Sequence, residues 1–325
     1  MIGLGGTIAM TGSPARPARS AEELVAAAPG LGEIAAVGVQ QLANVPGAHL
    51  SPADLARAVA AAAAAVDEGA AGAVILQGTD TIEETADLAA LVWDREAPLA
   101  VTGAMRPGGA ASADGPANLL DAVVLAASPD ARGAGAVVVF DGLVHDGAEA
   151  IKAHTWRTGA FWSPAPLGEV REGMAHLQPA PRGAPVATPA EAAAAALDAY
   201  VPVVTAAAGM DSRPLDALRE QGAVAVVLLA LGAGHVPAGM LAGVDRALAA
   251  GLPVAVCARP PFGGTLERTY GFEGSETDLA DRGALLAGRA SPWKARIRLL
   301  LALGLALDPA TVLVGRPPPP PPPET

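Results

Sequence analysis

Thr79 and Asp80 place a hydroxyl and a carboxylate where a strand is expected to turn into a helix. The apolar run 73–76 before them predicts a buried parallel strand. Thr81 and Glu84 have capping-box spacing, which predicts that the Thr81 side chain caps the following helix. Open α/β sheets bind ligands at such turns, where free amides and the helix dipole suit a substrate carboxylate. The alternative is that Thr79 and Asp80 only help to cap the helix.

Thr7 provides a second hydroxyl, on a glycine-rich turn after a short strand at the start of the chain. A dinucleotide-binding fingerprint from Gly3 and Gly5 would need glycine or alanine at position 8, where Ile8 stands, and the lysine of a phosphate-binding loop is missing as well. Glycines let another backbone or a ligand approach closely. Thr7 is therefore a candidate reactive hydroxyl, and not part of a nucleotide loop.

Lys152 is one of two lysines, with Lys294, among 21 basic residues that are otherwise arginine. An amine can give up its proton in a desolvated site, which a guanidinium does not do. Lys152 is therefore a candidate base. The alternative is a solvated surface lysine.

Alternating strands and helices are predicted through the first half of the chain, which indicates a parallel sheet covered on both faces. Residues 12–19 are expected to form a surface loop. The other predicted strands are 35–42, 99–102 and 136–140, and the predicted helices are 21–28, 51–68, from 82 onwards, and 114–127.

A second α/β domain is predicted after a connection rich in proline and glycine at 163–188. Its expected strands are 201–205, 224–231 and 253–257, and its expected helices are 214–221, 238–248 and 292–307. The expected organisation is a larger parallel-sheet domain at 1–185, a smaller α/β domain at 199–316, and a disordered proline-rich tail at 317–325.

Composition limits the possible functions. The formal charge of −12 argues against nucleic-acid binding, which needs a basic face. The sequence has neither a long apolar run nor a signal peptide at its start, so a cytoplasmic location is expected. Cys257 ends an apolar run and is expected to be a buried strand residue.

The histidines show no metal-ligand spacing, so no metal site is expected from them. Most are expected to be surface or satisfied polar residues, although His235 follows a predicted strand and could lie beside a ligand. The five are His49, His145, His154, His176 and His235.

Short motifs occur in a fixed order over residues 1 to roughly 170. They are Gly5-Gly6-Thr7-Ile8-Ala9; Gly78-Thr79-Asp80-Thr81 with Glu84-Thr85; Gly103-Ala104-Met105-Arg106-Pro107; Ser112-Ala113-Asp114-Gly115-Pro116 with Asn118-Leu119; and Lys152. In this order and spacing they resemble the motifs of the bacterial-type L-asparaginases and glutaminase-asparaginases.

The resemblance implies an amidohydrolase that cleaves the side-chain amide of L-asparagine and uses no metal or organic cofactor. By position, Thr7 would be the first nucleophile, and Thr79, Asp80 and Lys152 would form a companion triad. The substrate would contact Thr79 and Asp80 together with Gly47, Ala48 and Ala104. The family also implies a homotetramer of dimers with sites at the dimer interface.

The chain departs from the family pattern near these residues. Gln77 and Leu4 stand where histidine and threonine are usual, and Gly47 stands where a serine usually contacts the substrate carboxylate. Residues 10–30 contain no tyrosine to close over Thr7. We therefore expect that Tyr270 of a neighbouring subunit could supply the missing phenol; the alternative is an ordinary interface tyrosine.

Several alternatives remain open. The chain could be a glutaminase-asparaginase, because a difference of one methylene is recognised by pocket shape. It could also be a degenerate amino-acid-binding protein, although a binding protein needs neither two hydroxyls nor an amine base. An amidotransferase acting on tRNA is disfavoured by the acidic charge. The sequence leaves open which threonine attacks the amide.

Overall fold

A computed structural model describes residues 1–12, 16–178 and 182–315, so the predicted tail at 317–325 lies outside the described residues. The described chain divides into two compact units, Met1–Ala194 and Ala195–Gly315. Within this part of the chain, no helix has the length and apolar character needed to cross a membrane.

Strands and helices alternate through the first unit. Its described strands are β1 Ile2–Gly5, β2 Met10–Thr11, β3 Arg16–Pro17, β4 Gln40–Val45, β5 Ala73–Leu76, β6 Leu99–Thr102, β7 Ala136–Phe140, β8 Leu143–Asp146, β9 Ile151–Lys152, β10 Phe161–Trp162, β11 Gly168–Arg171 and β12 Met174–Leu177. Its described helices are α1 Ala21–Ala26, α2 Leu31–Ile34, α3 Pro52–Asp67, α4 Ile82–Val92, α5 Gly115–Ala127 and α6 Pro189–Ala194.

The main sheet of this unit has, in the described residues, the strand order β12-β11-β8-β7-β6-β5-β1-β4. From β4 to β7 neighbouring strands are parallel, and from β7 to β12 they are antiparallel. The first strand of the chain lies between β4 and β5, so the direction of winding changes at β1. Such a switch point leaves a crevice at the carboxyl ends of the strands, where open α/β sheets bind ligands.

The parallel strands are apolar along their whole length because helices cover both faces. β5, β6 and β7 are buried at every position. α5 packs against Val74, Leu76 and Val137 on one face. α3 and α4 pack against the other face of the sheet, which carries the alternate residues of these strands, including Ile75 and Val138.

In the parallel core, the strands and helices predicted from the sequence agree with those observed. The strands at 73–76, 99–102 and 136–140 and the helix at 114–127 are confirmed within one residue. Ser51 caps α3 as expected: its side chain accepts a hydrogen bond from the Asp54 amide.

Predictions for the rest of the first unit were less accurate. The strand expected at 35–42 is displaced to Gln40–Val45, and the loop expected at 12–19 contains β3, which pairs with β2. The region 163–188 is not only a connection, because β11 and β12 within it extend the large sheet. The expected parallel sheet is confirmed from β4 to β7, and β8, β11 and β12 extend it with antiparallel strands.

The second unit has its own parallel sheet, in the order β13-β14-β15-β16 among its described residues. The strands are β13 Val203–Thr205, β14 Val226–Ala230, β15 Val254–Ala258 and β16 Leu285–Leu286. The helices are α7 Arg213–Glu220, α8 Ala238–Ala249, α9 Glu276–Asp281, α10 Pro292–Gly304 and α11 Pro309–Leu313. Cys257 is buried on β15 as expected, and burial raises the pKa of its thiol to about 12.

A buried hydrogen bond ties the hairpin that carries Lys152 to the large sheet. β9 and β10 form a separate two-stranded sheet, and Ser163 follows β10 directly. The Ser163 hydroxyl lies 2.7 Å from Nδ1 of His145, a residue of β8 that is only 2% exposed. Burial lowers the pKa of His145 to about 4.

Acid should weaken the fold through His145. Its pKa is about 4 in the native state and about 6.5 when unfolded. Between these values the unfolded chain binds a proton that the native chain does not, so the free energy of unfolding falls with decreasing pH, by up to about 1.4 kcal/mol per pH unit. Urea unfolding from pH 7 to pH 4 should show a shallower dependence in His145→Asn than in the unsubstituted protein.

The exposed His176 supplies the control, because His176→Asn should keep the original pH dependence. If the free energy of unfolding depends on pH equally in the unsubstituted protein and in His145→Asn, the acid dependence does not come from His145.

Candidate active site

Four predicted site residues follow four neighbouring strands. Gly47 comes after β4, Thr7 after β1, Thr79 after β5 and Ala104 after β6. These strands are adjacent and parallel in this order. Their carboxyl ends therefore bring the four residues to one edge of the sheet, on both sides of the switch point. Gly47, Thr7 and Thr79 each begin a 3-10 turn.

Three of these turns touch through glycine backbones. A Cβ on Gly6 would lie 2.2 Å from Cα of Gly78, and a Cβ on Gly78 would lie 2.6 Å from the amide nitrogen of Gly47. Gly6 also has a φ of +90°, which side-chain-bearing residues rarely adopt. Because Gly6 and Gly78 are in contact, the residues that follow them, Thr7 and Thr79, begin their turns side by side.

Lys152 reaches this edge from the hairpin. Its Nζ donates hydrogen bonds to Oγ1 of Thr79 and to Oδ1 of Asp80, each at 2.9 Å. Thr79 is 4% exposed, while the side chain of Lys152 is 21% exposed and that of Asp80 is 58% exposed. An amine in contact with a hydroxyl can remove its proton once the amine is neutral, and a carboxylate on the amine fixes its position.

The Thr81 side chain does not cap α4, so the predicted capping box is wrong. Its hydroxyl donates to the carbonyl oxygen of Gly47 at 3.3 Å and accepts from Nε2 of Gln77 at 3.1 Å. Gln77 is completely buried. Gln77 and Thr81 thereby hold the segment of Gly47 and Ala48 against the turn that carries Thr79.

Asp114 holds the turn that contains Ala104. Its two carboxylate oxygens accept hydrogen bonds from the amides of Met105 and Arg106, each at 2.9 Å. Asn118 donates to the carbonyl oxygen of Gly103 at 3.0 Å and to Asp114 at 3.2 Å. The motif containing Asp114 and Asn118 was recognised in the sequence, but this clamp was not. A helix start is the usual sign of a capping aspartate, and Asp114 makes no capping bond.

Tyr270 and His235 lie in the second unit. Their ring centroids are 4.9 Å apart with edge-to-face geometry. The buried carboxylate of Glu276 accepts from the Tyr270 amide at 2.8 Å and lies 3.1 Å from Nε2 of His235. His235 is therefore a hydrogen-bonded partner of Glu276, and a contribution of Tyr270 to a neighbouring subunit stays a prediction.

No group of three or more histidine, cysteine or acidic side chains in the described ranges is arranged to hold a metal ion. The sheet edge brings together the amine of Lys152, the carboxylate of Asp80 and the hydroxyls of Thr7 and Thr79.

Comparisons with known proteins extend over both units. Residues 1–182 match the family model "Asparaginase, N-terminal", and residues 200–313 match "Glutaminase/Asparaginase C-terminal domain". A probable L-asparaginase of Deinococcus radiodurans is 33% identical over 316 residues, covering 94% of this chain and 92% of that protein. A glutaminase-asparaginase of Pseudomonas aeruginosa is 30% identical over 319 residues, covering 95% and 86%.

Among solved structures, the probable cytoplasmic L-asparaginase from Campylobacter jejuni superposes with a TM-score of 0.84 and 27% identity. The match covers 97% of this chain and 98% of that one.

Removal of the Asp114 carboxylate should loosen the turn of Ala104. Asp114→Ala leaves two amides without their charged acceptor, so the free energy of unfolding should fall by roughly 2 to 4 kcal/mol. Asp114→Asn keeps one acceptor oxygen and should lose less. Urea unfolding measures both changes.

Asp130 is the matched control, because it is exposed on the 3-10 turn that follows α5. Asp130→Ala should stay within about 0.5 kcal/mol of the unsubstituted protein. If Asp130→Ala and Asp114→Ala lower the free energy of unfolding equally, the hydrogen bonds of Asp114 make no specific contribution to stability.

Proposed function

The chain belongs to the asparaginase family, and from this premise we propose that it hydrolyses the side-chain amide of L-asparagine to L-aspartate and ammonia. It is thus an amidohydrolase of the L-asparaginase type. The observation that carries the proposal is the contact of Lys152 Nζ with Thr79 Oγ1 and Asp80 Oδ1, both at 2.9 Å. This is a hydroxyl that can pass on a proton, a base and an orienting group, joined by hydrogen bonds.

We propose Thr7 as the hydroxyl that attacks the amide carbon. Its oxygen forms the new bond, its proton passes to a base, and the oxygen of the amide becomes an oxyanion. The backbone amides of the neighbouring turns are suited to stabilise this oxyanion. Collapse of the intermediate breaks the carbon–nitrogen bond, the nitrogen takes up a proton and leaves as ammonia, and an ester on Thr7 remains.

Water then hydrolyses the ester with the help of Thr79, Asp80 and Lys152. A proton of the water passes through the Thr79 hydroxyl to the amine of Lys152 as the water oxygen attacks the ester carbon. Thr7 regains its proton when L-aspartate leaves. Asp80 supports this step because its Oδ1 accepts from Lys152 and fixes the amine against Thr79.

Substrate recognition in this proposal uses groups at the same edge. The second oxygen of the Asp80 carboxylate can bind the substrate ammonium. The substrate carboxylate is assigned to the amides at Gly47 and Ala48 and to the amino terminus of α4, where the helix dipole favours an anion. A backbone amide at Gly47 would replace the serine usual in the family.

A second candidate activity is hydrolysis of L-glutamine as well as L-asparagine. The relative from Pseudomonas aeruginosa is named for both activities. Ammonia release measured with each substrate decides between the two functions, and release with neither would favour the degenerate binding protein.

Assembly and location also belong to the proposal. A homotetramer is expected from family resemblance, and size-exclusion chromatography with light scattering tests it. The cytoplasmic location is supported by the name of the Campylobacter jejuni neighbour.

Loss of the amine should greatly reduce turnover while the fold is kept. Lys152→Met removes the candidate base and should reduce kcat by a factor of roughly 10² to 10⁴. Lys152→Arg keeps the positive charge but not an amine that can accept a proton, and it should be equally impaired. Circular dichroism checks the fold. Turnover near the original rate in Lys152→Arg would remove Lys152 from the role of base.

Thr7 and Thr79 should behave as parts of one catalytic unit. Thr7→Ala and Thr79→Ala should each lose most activity, because residues that act as a unit fail at the first removal. The double variant should then be little slower than either single variant. Single-turnover ammonia release measures all three, and losses that multiply would show that the threonines act independently.

A further inference from the structure

Glu83 contacts Lys152 at the opposite end of the residue from its amine. The amide nitrogen of Lys152 donates to Oε2 of Glu83 at 3.2 Å. Glu83 is 6% exposed and is the second residue of α4. The two residues are 69 positions apart in the chain, so this contact exists only in the folded state.

Lys152 is thus fixed at both ends by one short segment of chain. Its amine contacts Thr79 and Asp80, and its amide contacts Glu83, four residues after Thr79. Between these contacts lies a flexible four-carbon side chain. An amine on such a side chain is placed accurately only when its backbone is held as well.

The strand that carries Lys152 needs such an anchor. β9 has only two residues and pairs with the two residues of β10, apart from the large sheet. Two-stranded hairpins are at best marginally stable by themselves. Glu83 lies on a helix that packs against the large sheet, so its carboxylate connects the hairpin to rigid structure.

We propose that Glu83 is a positioning residue for the amide hydrolysis, which acts by holding the Lys152 backbone so that the amine meets Thr79. The amino terminus of α4 makes a buried carboxylate tolerable there, since the helix dipole favours negative charge at this end. The inference rests on the proposed function of Lys152. It adds a residue that would act through its hydrogen bond with the Lys152 backbone amide.

The first test compares a variant that lacks the hydrogen-bond acceptor of Glu83 with one that keeps it. Glu83→Leu removes the acceptor, and kcat for ammonia release from L-asparagine should fall about 30-fold or more, because small misplacements of a catalytic group have large effects. Its KM should change less than about threefold, since substrate contacts remain. Glu83→Gln keeps an acceptor oxygen at the same distance and should hold kcat within about threefold of the unsubstituted enzyme.

Two further variants control for misfolding of Glu83→Leu and for a general disturbance of α4. Glu83→Asp keeps the charge but withdraws the acceptor by one methylene, and it should lose kcat even if Glu83→Leu does not fold. Thr85 is the matched control: it is buried on α4, and its hydroxyl donates to the carbonyl oxygen of Thr81 at 3.0 Å. Thr85→Val should keep kcat, and a loss equal to that of Glu83→Asp would overturn the proposal.

A double variant distinguishes positioning from general damage. Glu83→Leu added to Lys152→Met should cause no further loss, because Glu83 acts only through Lys152. A multiplicative loss would overturn the inference. Full activity in Lys152→Met would instead refute the role of Lys152 as base, and absence of ammonia release from the unsubstituted protein would refute the proposed function. An inactive Lys152→Met beside fully active Glu83→Leu and Glu83→Asp variants would refute the positioning role alone.

Discussion

Backbone contact between three turns is the constraint on which the candidate site depends. A Cβ on Gly6 would lie 2.2 Å from Gly78, and a Cβ on Gly78 would lie 2.6 Å from Gly47, so a side chain at either position would collide with main-chain atoms. No side chain can therefore originate at the centre of the crevice. Reactive groups have to come from the next residues, Thr7 and Thr79, and a third group has to reach in from elsewhere in the chain.

That third group is an amine held by long-range contacts. Lys152 comes from a hairpin outside the parallel core, yet its amine and its backbone amide both donate to residues 79–83. One segment therefore provides a hydroxyl, an orienting carboxylate and a backbone anchor. The hydrogen bond of Ser163 to the buried His145 holds the same hairpin to the large sheet from its other strand. The separation of Thr79 from the amine thus depends on the packing of α4 and the hairpin.

Predictions from the sequence were accurate where the apolar pattern of a segment matches its burial in the folded sheet. β5 and β7 are short apolar runs buried on both faces, and both were found at their predicted bounds. β11 and β12 were missed because they are short strands of mixed polarity among prolines and glycines, and β12 lies at the edge of the sheet. Thr81 was misassigned because its hydroxyl prefers a partner distant in the chain, Gly47, over its own helix. The carboxylate of Glu83 could not be assigned, since its partner is 69 residues away.

The central place of β1 in the sheet has a bearing on synthesis at the ribosome. β1 emerges first but lies between β4 and β5, and the parallel half of the sheet is complete once Ala136–Phe140 has been added. Chains fold from their amino-terminal side while they are made. The crevice with both threonines can therefore assemble before the β9 hairpin has left the exit tunnel. In the proposed mechanism a nascent chain therefore acquires its hydroxyls first and its base last, and we expect no amide hydrolysis until the hairpin has closed on α4.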